Sequence, residues 1–210
     1  MSLKIWGLLL VGILHLNCYS QVTLTESNLP ILKITTPLGQ QINDVNRIVC
    51  DLGIIDNGPG NLNQIIDPFT NYNGKISIEI RGSTSQQYPK KSYGFETQTA
   101  LGLNNNVNLL GLPIENDWIL NGPYPDKTLL RDALTFDLSR KMGHYASNFR
   151  YCELLINNNY LGVYILFERI KRDNNRVDIA NLDLDDLAGI KISKGNSEEG
   201  NPSKIRMKMI

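Results

Sequence analysis

The chain has 210 residues, 41% hydrophobic and 20% charged, with 21 Lys+Arg balancing 21 Asp+Glu. This describes a globular protein able to bury a real core, neither disordered nor collagenous. Zero net charge argues against a whole-chain grip on nucleic acid or an anionic membrane. Two histidines and three cysteines exclude most His- and Cys-rich metal sites.

Residues 1–20 read as a signal peptide. Lys4 supplies the positive start, Ile5 to Leu16 the apolar core, and Cys18 and Ser20 the small side chains before a cleavage after Ser20. The run is too short for a transmembrane span, which needs about 20 apolar residues. It lacks the amphipathic pattern of a buried first helix, and His15, Leu16 and Asn17 do not suit lipidation of Cys18. The expectation is export to the medium or cell envelope, with no transmembrane anchor. The mature chain then keeps His144, Cys50 and Cys152. In an oxidising compartment the two cysteines could pair, or stand as two buried thiols.

Strands are predicted at Ile31 to Thr35 and at Arg47 to Ile54. Lys75-Ile76-Ser77-Ile78-Glu79-Ile80-Arg81 alternates strictly, so it reads as a strand with its isoleucines inward and Glu79 and Arg81 on the other face. It delivers Arg81 into Gly82-Ser83-Thr84-Ser85-Gln86-Gln87-Tyr88-Pro89-Lys90-Lys91, rich in hydroxyls and ending on two lysines. Such a turn can offer backbone N–H groups, hydroxyls and charge to phosphate oxygens, or be a plain hairpin with a solvated loop.

Asn121-Gly122-Pro123-Tyr124-Pro125-Asp126 leads into a helix predicted over Lys127 to Met142. Leu130, Ala133, Leu134 and Leu138 form its apolar face, Asp126 caps it, Arg140 and Lys141 suit its C-terminal dipole, and Gly143 stops it. Its N-terminus, with Lys127 and Arg131 one turn apart, is an anion site or a simple loop-to-helix transition. His144, after a helix-stopping glycine, reads as an ordinary surface histidine.

Phe149 to Ile156 and Tyr160 to Glu168 flank Asn157-Asn158-Asn159 as a hairpin, the second arm apolar on both faces and so a central strand. Asparagine suits turns because it tolerates left-handed backbone. The frequency of asparagine itself is ascribed to mutational bias in the source genome. Glu168 ends an apolar run, where an unpaired carboxylate is costly, so it is expected to lie at a cleft mouth or to meet a cation: Arg169, Lys171, or a lysine of the polar turn. Asp183 to Gly189 is faintly like a calcium loop, but Leu187 stands at a ligand position and no glutamate follows, so a solvated helix start is the better reading. No Walker-type phosphate loop and no G-x-S-x-G elbow is present. The order strand, strand, helix, hairpin implies an α+β domain with an antiparallel-rich sheet and a few helices.

Taken together, several stretches resemble the spore-coat protein H (CotH-like) kinase family. They are Ile78 to Gln86 with Lys90-Lys91-Ser92-Tyr93, Leu109 to Pro113 with Asn116-Asp117-Trp118, Tyr124 to Arg131, Glu153 to Glu168, and Ile170 to Asp173 with Arg176 to Ile179. The resemblance implies a secreted atypical protein kinase whose N-terminal half is remotely protein-kinase-like. It would use ATP with Mg²⁺ or Mn²⁺ to phosphorylate exported or cell-surface proteins, without nucleic acid. It also implies that Arg81, Ser83 and Lys91 contact ATP phosphates and that Glu168 holds the lysine.

Family members continue beyond Val177-Asp178-Ile179 into a second half with catalytic and metal-binding aspartates. Residues 190–210 are lysine-rich and nearly devoid of aromatics, so a divergent, truncated tail lacking those aspartates is expected. The expected organisation is a signal peptide (1–20), strands leading into the domain (21–74), the N-terminal half of a CotH-like kinase domain (75–189) and the divergent tail (190–210). A secreted, non-catalytic binding or adhesion module on the same scaffold is the alternative function.

Overall fold

The computed structural model describes residues 22–179. The signal peptide, the Asp183–Gly189 segment and the tail from residue 190 therefore lie outside the described residues. The strands are β1 (Glu26–Ser27), β2 (Ile31–Thr35), β3 (Ile48–Ile55), β4 (Asn63–Gln64), β5 (Tyr72–Arg81), β6 (Ser92–Gln98) and β7 (Asp117–Asn121). A helix, α1 (Arg131–Lys141), comes next, and then β8 (Phe149–Ile156) and β9 (Asn159–Glu168). Short 3₁₀ turns occur at Pro37–Gly39 and Thr84–Gln87.

Seven strands close a barrel in the order β2-β3-β5-β6-β7-β9-β8, while β1 and β4 form a separate two-stranded ribbon. All neighbouring pairs in the barrel are antiparallel except β2 with β8, where Ile31–Ile34 run parallel to Glu153–Ile156. This corrects the expected fold. The described residues form a mostly β structure with one α-helix, not an α+β sheet with a few helices or a kinase-like lobe. Alternation finds strands singly, but closure depends on one pairing more than a hundred residues apart in sequence, which no local pattern encodes.

The alternating isoleucines behave as their pattern demands. Ile76 and Ile78 of β5 are fully buried, and Phe95, Trp118, Leu120, Tyr164 and Leu166 join them inside the barrel. Cys50 and Cys152 face the same core as free thiols, and burial pushes both up, Cys50 to about 11. The expected hairpin forms across β8 and β9, with β9 central between β7 and β8. Asn157 and Asn158 turn it with φ of 51° and 64°.

The helix is shorter than predicted. Leu129 takes φ 59°, so the right-handed helix begins only at Arg131. Asp126 still receives an orphan amide, accepting from the Arg131 N–H at 2.9 Å across the intervening turn. At the other end Gly143, at φ 83°, and His144 donate to the Arg140 and Ser139 carbonyls, a Schellman stop. Most of the predicted apolar face is not buried. Ala133 is, but Leu130, Leu134 and Leu138 are exposed. His144 is exposed. Among the described residues no helix is long and apolar enough to cross a membrane.

Candidate functional site

A cleft of about 360 Å³ opens between the connection from β5 to β6 and the connection from β7 to α1. One wall carries Arg81, Gly82, Ser85 and Tyr88, and the other Asn121, Gly122, Pro123, Asp126, Arg131 and Asp132. The barrel thus joins two segments that the sequence marked separately as polar and anion-suited.

Each wall is fastened from within. Gly82 sits at φ 111°, and a side chain there would run into the Ser85 hydroxyl, so the turn after Arg81 requires glycine. Gln86 Nε2 donates to the Gly82 carbonyl at 2.7 Å. Lys91 Nζ donates to the Gln86 and Tyr88 carbonyls at 2.6 and 2.9 Å, holding the 3₁₀ turn against the start of β6. The walls are also tied together. Ser92 Oγ donates to Asn121 Oδ1 at 3.3 Å and accepts from the Gly122 N–H at 3.0 Å, while Asn121 Nδ2 donates to Asp132 Oδ2 at 2.9 Å. Gly122 makes this approach possible, because a Cβ there would lie 2.8 Å from the Lys91 carbonyl oxygen. Tyr88 and Tyr124 stack across the cleft mouth with centroids 5.5 Å apart.

The charges are unevenly matched. Asp126 Oδ1 accepts from the Thr128 hydroxyl at 2.7 Å, and that bond, with the Arg131 amide, holds its carboxyl below the ordinary range. Arg81 pairs with no carboxylate among the described residues. Partial burial and the like charge of Arg169 draw its pKa down from the ordinary arginine value. Arg81 is exposed and remains a cation after such a shift, so the cleft wall carries a charge without a counter-ion among the described residues.

The other site residues fall in different places. Ser83 is exposed at the head of the 3₁₀ turn and is not part of the cleft wall. Lys91 is occupied by carbonyls of its own turn. Lys90 runs into the barrel wall, donating to the Val163 carbonyl at 2.6 Å with its ammonium 4.4 Å from the Tyr164 ring centroid. Burial lowers its pKa, against the pull of Glu153.

Glu168 does meet a cation, but none of those expected. Its Oε1 pairs with Arg176 Nη1 at 3.1 Å, and Oε2 accepts from the Asn148 N–H at 2.8 Å and from Asn148 Nδ2 at 3.1 Å. Both side chains of the ion pair are wholly buried, and Arg176 lies over the Trp118 ring. Arg169 and Lys171 turn instead to Asp117, and Lys171 also to Glu115. Local alternation explains this choice, because Glu168 points into the barrel and cations one and three residues later do not follow it.

Sequence reading did not foresee that Ser92 joins the two walls through Asn121 and Gly122, or that Asp132 braces Asn121 within its own wall. Their signal was available only as polar residues at strand ends and in a first helical turn, positions with many bland explanations.

A profile of the CotH kinase protein family matches residues 78–206, more than half of the chain. The chain belongs to that family. The CotH match starts inside β5 and takes in both cleft walls, the β8–β9 hairpin and the Glu168–Arg176 pair. It continues to residue 206, into the stretch expected to diverge. Strands β2 and β3 precede it and yet complete the barrel. A search among curated proteins gave no match.

Proposed function

We propose that this CotH protein is an exported ATP-dependent kinase that seats the nucleotide phosphates in the cleft between Arg81 and Arg131. The unpaired Arg81 guanidinium carries this reading. A cation in a cleft wall that pairs with no carboxylate among the described residues is free to take an anionic ligand, and arginine's fork suits phosphate oxygens. Arg131, in the first turn of α1 and 3.6 Å from the Asp126 carboxylate, adds a second, exposed and partly matched charge where the helix dipole also favours anions. Gly82 lets the backbone come close, and Lys91 acts through the turn it holds rather than by touching phosphate.

The reaction is transfer of the γ-phosphoryl group. Its bond to the β-phosphate oxygen breaks, a bond to a Ser or Thr hydroxyl oxygen of an exported protein forms, and the hydroxyl proton leaves, giving ADP. Bound Mg²⁺ would neutralise charge on the transferring group. Magnesium is commonly held by one or two carboxylates plus the phosphates themselves, and Asp132 is the cleft carboxylate with an oxygen not engaged by Asn121.

Calorimetric titration with Mg·ATP tests this reading. Saturable binding is expected, weakened at least tenfold by Arg81→Ala with the unfolding midpoint unchanged. Equal affinity in both proteins would overturn the site. Transfer of labelled γ-phosphate to a Ser-rich protein tests turnover, and binding without transfer would favour a non-catalytic module. Export is tested by the mature N-terminus, expected at Gln21.

A further inference from the structure

The two carboxylates of the cleft are used differently. Asp126 is consumed by its own loop: Oδ1 accepts from the Thr128 N–H and hydroxyl, and Oδ2 from the Arg131 N–H. Asp132 Oδ2 accepts from Asn121 Nδ2 at 2.9 Å, and its other oxygen has no partner among the described residues.

A chain of hydrogen bonds leads back from Asp132 into the barrel. The Gly122 N–H can only donate, and it meets Ser92 Oγ at 3.0 Å. Ser92 carries one proton, which goes to Asn121 Oδ1 at 3.3 Å. The Asn121 amide then turns its NH₂ toward Asp132, which as a carboxylate can only accept. Reversing that amide would set Asn121 Oδ1 against Asp132 Oδ2, two acceptors face to face. Both ends of the chain select one orientation.

The chain starts from a fixed point. Ser92 is buried and lies opposite Arg81 in the ladder of β5 with β6. Asn121 is the last residue of β7, and Asp132 lies in the first turn of α1. One register thus sets Arg81 on one wall and, through Ser92 and Asn121, the side chain of Asp132 on the other. A nucleotide cleft needs both: a cation for the phosphates and an oriented carboxylate for the divalent ion they carry.

We propose that Ser92 and Asn121 are positioning residues, which orient Asp132 so that its free oxygen can take the divalent cation carried by the nucleotide. This rests on the reading of the cleft as a nucleotide site. Neither residue touches the cation. A hydrogen-bond partner that orients a metal ligand is typically worth about ten- to a hundredfold in metal affinity.

The test measures ATP binding to the full chain by calorimetry, once in EDTA and once in Mg²⁺. The readout is the ratio of the two affinities, so a general loosening of the wall, which weakens both, cancels. In the native chain Mg²⁺ is expected to tighten binding at least tenfold. Ser92→Ala, Asn121→Ala and Asp132→Asn should each lose most of that gain. The double variant Ser92→Ala, Asn121→Ala should lose no more than either alone, because both act through one chain of bonds. An undiminished ratio in any of the three single variants would overturn the proposal. So would additive losses in the double variant, or a native chain that gains nothing from Mg²⁺. Failure of the nucleotide reading itself shows differently, as an affinity in EDTA that Arg81→Ala leaves unchanged.

Discussion

Arg176 Nη1 lies 3.1 Å from Glu168 Oε1 with both side chains removed from water, inside the end of the barrel. Two further guanidinium nitrogens, Nε and Nη2, have no hydrogen-bond partner there, so Arg176 is held by one ion contact, the Pro113 and Asn175 carbonyls and the Trp118 face, while Glu168 also accepts two bonds from Asn148. Deleting one partner strands a buried charge, whereas replacing both removes the desolvation cost as well. Arg176→Met and Glu168→Leu are each expected to lower unfolding free energy by about 3–5 kcal/mol. The double variant Arg176→Met, Glu168→Leu is expected to lose less than the sum of the two. Urea unfolding of the four proteins checks this, and strict additivity would mean that the pair is not coupled.

Asp117 gives the acid limb of stability its shape. Burial by itself would raise its pKa, but hydrogen bonding and charge from Lys171, with Arg169 beside it, bring the net value below the ordinary carboxylate range. A folded pKa beneath the unfolded one means stability that is complete above the unfolded value. It drains away as pH falls through the folded value. The urea midpoint of the native chain is therefore expected to drop below about pH 4. Asp117→Asn should be less stable at pH 6 and converge on the native protein near pH 2. A constant difference across that range would disprove the assignment.

The Lys75–Arg81 strand was legible because its isoleucines alternate, and the Phe149–Glu168 hairpin because two apolar runs flank an asparagine turn. Barrel closure was not, since Ile31 beside Glu153 is a matter of register between distant strands. The α1 leucines misled for a related reason. Their spacing reports that a face is apolar, not which neighbour buries it. Of the site, the two polar segments stood out by composition, while their meeting depended on the register of β6 against β7. Glu168 was recognised as needing a cation, but its partner came from the next chain reversal.

The asparagine turn separates compositional bias from structure. Asn157 Oδ1 accepts from the Thr36 N–H at 2.9 Å, and its Nδ2 donates to the Thr36 hydroxyl at 2.8 Å, joining the hairpin to the end of β2. Asn158, at φ 64°, is exposed. Glycine accepts left-handed backbone freely, so Asn158→Gly is expected to be neutral or to stabilise by a few tenths of a kcal/mol. Asn157→Gly suits the backbone equally well but strands buried Thr36, and should cost about 1–2 kcal/mol. Thermal melts of both variants decide it, and equal effects would show that the Thr36 contacts contribute nothing.

Gly82 links the barrel to the proposed chemistry. Its φ of 111° is strained for any residue with a Cβ, and the Ser85 hydroxyl occupies the space that Cβ would take. Gly82→Ala must therefore shift the Ser85 side chain and re-aim the turn after Arg81, at a cost of about 1–3 kcal/mol. Because Lys91 holds the far end of that turn, the disturbance should stay in the cleft wall and spare the barrel core. Mg·ATP affinity is expected to fall at least tenfold in Gly82→Ala. In Gly82→Ala, Ser85→Gly, where the colliding hydroxyl is gone and only the backbone strain persists, it should recover in part. Titration calorimetry on the three proteins, with amide hydrogen exchange reporting on β5 and β6, separates a local cleft effect from unfolding. Unchanged affinity in Gly82→Ala would remove this turn from the nucleotide site.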